Sequence, residues 1–178
     1  MNGRLQTHLS ALLKFDRAIS IQFSNASSHP HVRRLFRTVS WLGNGYFWYA
    51  LMAVLVAWYG EAAWYPVLHM IVAGLSGTLI YKRLKAATLR PRPYVLHQEI
   101  AQNVDILDQY SFPSGHTLHA VTFAIVAAVY FPGLAWLVAS FTALVALSRL
   151  VLGVHYPTDV IAGIIIGALI AGLSFLVF

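Results

Sequence analysis

The chain contains no cysteine, which excludes a disulfide frame and a thiolate zinc site. Charge is scarce too. Asp, Glu, Lys and Arg make up 10% of its 178 residues, where a soluble domain carries about a quarter. Only six residues are acidic. No repeat or low-complexity stretch stands out. No secretory signal is expected either, because Arg4, Lys14, Asp16 and Arg17 occupy the opening residues without an apolar core or cleavage site. What is abundant is hydrophobicity: 58% of residues are apolar and the mean hydropathy is +0.66. A chain of this length and balance is one domain built for a bilayer. The net charge of +6 does not point to nucleic acid, because the basic residues flank apolar runs and no nucleic-acid module accompanies them. Anionic membrane lipid is the partner such charges select.

The hydropathy pattern predicts an all-α fold: a polytopic membrane helix bundle of about five transmembrane helices plus an N-terminal interfacial helix. Residues 1–40 form the N-terminal amphipathic segment and 41–178 the transmembrane domain. In residues 4–23, Leu5, Leu9, Leu12, Ile19 and Phe23 recur at helical spacing, with Thr7, Ser10, Lys14 and Arg17 on the other side. Asp16 falls inside the apolar stripe, so it either pairs with a cation or ends the helix early. Ser24 to Pro30 reads as a turn, and Arg33, Arg34 and Arg37 as a basic approach to the membrane. Five spans follow: Trp41–Tyr59, Trp64–Tyr81, His116–Tyr130, Leu134–Val151 and Val160–Phe178, each near the ~20 residues that cross the hydrocarbon. His69, within the second, is expected to bond a neighbouring helix as a neutral group. Gly163 and Gly167 give the last span a small-residue face, suited to close packing or to a homodimer.

Span counting brings three distant polar segments out on one face: Lys85 to Pro93, Tyr110 to His116, and Ser148 to Asp159. Lys85, Arg92 and Arg149 are cations suited to phosphoryl oxygens. Ser114 and the Gly115 N–H add neutral donors at a helix start. No carboxylate pair or carboxylate–histidine cluster accompanies them, so the expected metal ligands and cofactors are none. Asp159, four residues after His155, can accept its Nδ1–H and leave Nε2 free to attack, while His116 can protonate a leaving oxygen. Lys82, Arg83 and Arg90 read as interfacial anchors and His119 as a helix-packing residue. His97, Glu99, Asp105 and Asp108 read mainly as solvated loop groups, with some reaching a substrate head group as the alternative.

Lys85, six residues, then Arg92-Pro93; Pro113-Ser114-Gly115-His116; and Ser148-Arg149, five residues, His155, three residues, Asp159: this order and spacing resembles the type 2 phosphatidic acid phosphatase superfamily. The resemblance covers about residues 40–178. It implies a helical bundle and metal-independent hydrolysis of a lipid phosphomonoester or pyrophosphate through a phosphohistidine. Phosphatidylglycerophosphate, undecaprenyl pyrophosphate and phosphatidic acid are its substrate candidates. Carried over, His155 is the nucleophile, Asp159 its orienter and His116 the acid; Lys85, Arg92, Ser114, Gly115 and Arg149 hold the phosphoryl group. The alternative is a non-catalytic lipid-phosphate binding or transport protein. The expected location is a bacterial inner membrane. The resemblance points the site to the periplasm, whereas the clustering of all twelve Lys and Arg on the site's side points it to the cytoplasm.

Overall fold

The computed structural model describes residues 3–106 and 108–178. The helices are α1 (Gly3–Ala26), α2 (Pro30–Trp41), α3 (Phe47–Tyr59), α4 (Trp64–Thr88), the short α5 (Pro93–Leu96), α6 (Gly115–Tyr130), α7 (Ala135–Val151) and α8 (Pro157–Ser174). Three helical stretches among the described residues are long and apolar enough to cross a membrane: Pro30–Leu96, Pro132–Val151 and Pro157–Ser174. The first folds back on itself. Gly60 ends α3 at φ 59°, and the chain returns as α4, so that Tyr59 meets Phe131 at one end while Gly43 meets His116 at the other. With the shorter apolar α6 the result is a bundle of five spans in an integral membrane protein.

α6 is the central post, packed against α4, α7 and α8. Two helices can approach so closely because the contact residues are small, the usual solution where lipid removes any hydrophobic drive between helices. A Cβ on Gly163 would stand 2.7 Å from the Ser114 carbonyl oxygen, and one on Gly167 would stand 2.5 Å from that of Leu118. This corrects the homodimer reading of the Gly163/Gly167 face, since α6 of the same chain already covers it. Trp48, Leu55, Met70, Leu118, Val126, Val138 and Val145 fill the interior. Trp41, Trp58, Trp64 and Trp136 are exposed near the helix ends, as interfacial anchors are.

His69 behaves as its sequence context suggests, bonding Tyr130 and Ser174 on neighbouring elements. The N-terminal region differs from expectation in two ways. Residues 30–41 are helical, and α2 runs through a π turn at Leu42–Tyr46 into α3. The buried face of α1 is also polar, formed by Asp16, Ser20 and Ser24 with Ser27 just beyond, while Leu12 lies exposed. Leu12 therefore faces outward, and the polar ladder packs against α7 and α8. The side chains of Arg4, Leu5 and Leu9 lie outside the described residues. Asp16 does not end the helix; it pairs with Arg90 at 2.7 Å.

Candidate active site

The chain after α7 builds the first wall. The carbonyl of Arg149 accepts the backbone N–H groups of Val154 and His155, both at 3.2 Å, folding the intervening residues into a tight turn. Gly153 makes that turn possible: its φ is 73°, and a Cβ there would lie 2.5 Å from Ile100. Arg149 and His155 thus emerge side by side, both buried. Pro157 then opens α8, and Asp159 closes a capping box by accepting the Tyr156 N–H at 2.9 Å.

The second wall comes from α4, which extends past the expected end of its span and carries Lys85 on its last turn. Leu89, in the left-handed region at φ 48°, stops the helix, and Arg90-Pro91-Arg92-Pro93 follows outside it. Arg92 is buried. Its Nη1 donates to the Val154 carbonyl at 2.7 Å and lies 3.3 Å from His155 Nε2. A guanidinium can only donate, so Nε2 is the bare nitrogen and Nδ1 carries the proton. That proton faces Asp159 Oδ2 at 3.6 Å, which is beyond hydrogen-bond distance, and among the described residues Nδ1 has no hydrogen-bond partner. The expected Asp159–His155 hydrogen bond is therefore an electrostatic contact here. Asp159 is instead held by Tyr156 and Arg90.

The third wall is the start of α6. Gly115 and His116 line a cavity of about 310 Å³ together with Lys85, Arg92, Arg149 and His155. Six of the eight expected residues thus share one cavity. Ser114 and Asp159 stand behind its wall, and the Ser114 hydroxyl pairs with Thr117 at 2.9 Å. The His116 Nε2 meets the side-chain oxygen of Asn44, which sits in the π turn beside Gly45 at φ 120°. A π turn inserted in a helix is a frequent mark of a functional site.

Burial, and then the charges of Arg92, Arg149 and Lys85, push the His155 imidazole well below its ordinary value of 6.5. Asp108 offsets part of this. Its Oδ1 accepts Lys85 Nζ at 2.9 Å and Arg92 Nη2 at 2.7 Å, tying together two of the cations. Burial alone would raise the Asp108 carboxyl, but the bonds and charges of Lys85 and Arg92 hold it below its ordinary value. Asp108 was readable only as a loop acid with a lesser chance of a role at the site. Asn44 was missed altogether, although a lone amide between two glycines in an apolar run was a usable signal. Arg90 is not an interfacial anchor: it spans Asp16 and Asp159 at 2.7 Å each. Lys82 and Arg83 are exposed as anchors are. His119 bonds Thr78 and the Gly74 carbonyl across to α4.

Residues 62–178 match the PAP2 superfamily. Undecaprenyl-diphosphatase BcrC of Bacillus subtilis (strain 168) is 28% identical over 128 residues, covering 71% of this chain and 66% of that protein. Decaprenylphosphoryl-5-phosphoribose phosphatase of Mycolicibacterium smegmatis is 44% identical over 82 residues, or 45% of this chain and 42% of that one. The aligned segments thus span between two-fifths and two-thirds of these relatives' own lengths. The crystal structure of a transmembrane PAP2-type phosphatidylglycerolphosphate phosphatase from Bacillus subtilis superposes with a TM-score of 0.74 at 25% identity, covering 99% of this chain and 87% of that one. With more than half of its length matched and its polar segments gathered at one end of the same kind of helical bundle, the chain belongs to the PAP2 superfamily.

Proposed function

We propose that this protein is a lipid phosphatase of a bacterial plasma membrane, hydrolysing a phosphomonoester or pyrophosphate through a phosphohistidine. The observation that carries this reading is the bare Nε2 of His155, 3.3 Å from the Arg92 guanidinium, in a cavity also lined by Lys85, Arg149 and His116. Cations at that spot neutralise phosphoryl oxygens as charge redistributes in the transition state, an effect commonly worth ~10²–10³ in rate per key group. The Nε2 lone pair forms a bond to phosphorus as the phosphorus–oxygen bond to the lipid breaks. His116 gives the departing oxygen its proton. Water, deprotonated by the same imidazole, then attacks the phosphohistidine, releasing inorganic phosphate and restoring both histidines.

The far walls of the cavity support a lipid rather than a soluble ester. Trp48, Met52, Leu75 and Phe123 continue it between α3 and α4, and Tyr49, Ile71 and Leu75 on its rim are exposed on the bundle's outer surface. A lipid entering sideways would leave its chain there and bring its head group to the cations. The relatives' names supply two substrates to test, phosphatidylglycerophosphate and undecaprenyl pyrophosphate, and the motif resemblance adds phosphatidic acid, each in detergent micelles with phosphate release as the readout. Hydrolysis of at least one is expected. It should persist in EDTA, be blocked by vanadate, and vanish in His155→Ala. Full turnover by that variant would refute the assignment, and lipid binding without any phosphate release would favour a carrier.

A further inference from the structure

We propose that Arg90 is a positioning residue for the His155–Asp159 pair, and that Asp16 of the N-terminal helix is the anchor holding Arg90 in place. The inference rests on the reading of His155 as nucleophile and extends the catalytic apparatus to α1.

The geometry is a fork between two carboxylates. Arg90 Nη1 donates to Asp159 Oδ1 at 2.7 Å and to Thr158 Oγ1 at 2.8 Å, while Nη2 donates to Asp16 Oδ2 at 2.7 Å. Its guanidinium carbon lies 4.2 Å from the centroid of the Tyr156 ring. Asp16 in turn accepts the Thr158 N–H at 3.1 Å and the Thr158 hydroxyl at 2.5 Å. Asp16 is 1% exposed and Asp159 fully buried. A buried carboxylate persists as an anion only when paired and hydrogen-bonded, and one guanidinium serves both.

The consequence for His155 follows from which oxygen is used. Arg90 fixes Oδ1 of Asp159, leaving Oδ2 as the atom that faces His155 Nδ1 at 3.6 Å. Without Arg90 the buried carboxylate loses its cation and is left with the Tyr156 N–H on Oδ2 as a restraint, so the anion that stabilises positive charge on the imidazole as Nε2 bonds to phosphorus is no longer secured. Without Asp16 the guanidinium is released from α1 and no longer sits at a fixed point between the two acids. A surface arginine anchoring a helix end has neither consequence, since its head group would be in water.

The test uses the full chain in detergent micelles, with kcat and KM measured on whichever lipid of the panel is hydrolysed fastest. Arg90→Gln should lower kcat by roughly ten- to a hundredfold, the range for a hydrogen bond to a charged group, with KM changed by less than about twofold. Asp16→Asn should lower kcat in the same way. The double variant should be no slower than Arg90→Gln alone, because Asp16 acts through Arg90. Multiplying effects, or single variants with wild-type kcat, would overturn the proposal. If Arg90→Gln aggregates on gel filtration, Arg90→Lys decides, because it keeps the charge and loses the fork. A lowered kcat at constant KM then supports the proposal, and a wild-type kcat overturns it. His155→Ala is the control that separates the two claims: turnover by that variant removes the nucleophile assignment itself, whatever Arg90 does.

Discussion

Two histidines are buried in this bundle at opposite ends, His69 at 0% exposure and His155 at 2%. His69 is satisfied on both ring nitrogens, by the Tyr130 hydroxyl at 3.0 Å and the Ser174 hydroxyl at 2.7 Å, and stacks on Phe178. Its network is neutral and closed, and it ties α4 to the ends of α6 and α8. His155 is buried as deeply and satisfied far less. One nitrogen has no hydrogen-bond partner among the described residues, the other meets a guanidinium at 3.3 Å, and two further cations line the same cavity. Burial alone therefore separates nothing. What distinguishes a chemical histidine from a structural one is the lone pair left open and the charge gathered around it.

The sharpest way to break this contrast is to make the same substitution at both ends. His155→Gln should lower phosphate release by at least ~10³, as loss of a covalent nucleophile does. A variant retaining a tenth of the activity would place His155 in a structural class with His69.

The acid side of the pH profile is a second probe. Burial and the neighbouring cations lower the His155 pKa, so its neutral, nucleophilic form persists as pH falls through 6.5. Measured between pH 5 and 8, kcat/KM should hold through 6.5 and decline only at lower pH; an acid limb at or above 6.5 would show that the cations do not act on this imidazole.

A smaller effect is expected at Asp108. Its carboxylate occupies Lys85 and Arg92, and Asp108→Asn should free them for an anion. The half-exposed position limits the gain, so vanadate inhibition should tighten only severalfold. Unchanged or weaker inhibition would mean that Asp108 orders the cations rather than competing for them. The least effect on activity belongs to His69→Gln. Phosphate release should stay within about twofold of wild type while the melting temperature falls by a few degrees, the scale of a lost buried hydrogen bond. A large fall in kcat would make the far end part of the catalytic unit.

Much of this was open to reading along the chain. A helix must show about twenty apolar residues to cross a bilayer, so composition alone marked the spans, and the cap and breaker residues near Tyr59, Trp64, Tyr130 and Pro157 bounded them. Side counting put Lys85, Arg92, His116, Arg149 and His155 at one end, because each span reverses the chain. The partners of single groups were less legible. Asp16 looked misplaced in an apolar stripe because periodicity alone cannot say which side of a helix faces protein when the outside is lipid; the strip that turns inward is Asp16, Ser20 and Ser24, while Thr7, Ser10, Lys14 and Arg17 stay exposed. Arg90 looked like a surface anchor because its two carboxylates lie 74 and 69 residues away along the chain.

The sequence by itself determined the solvent this chain lives in, the number of spans and the chemical types gathered at one end, since all three follow from local hydropathy and connectivity. Only the tertiary structure decided that the Arg92 guanidinium meets Nε2 of His155, that Asp159 sits 3.6 Å from Nδ1, and that Arg90 joins the N-terminal helix to Asp159. Hydrogen bonds and ion pairs act over about 3 Å. Contacts that short between distant residues are set by helix packing, which no local pattern encodes.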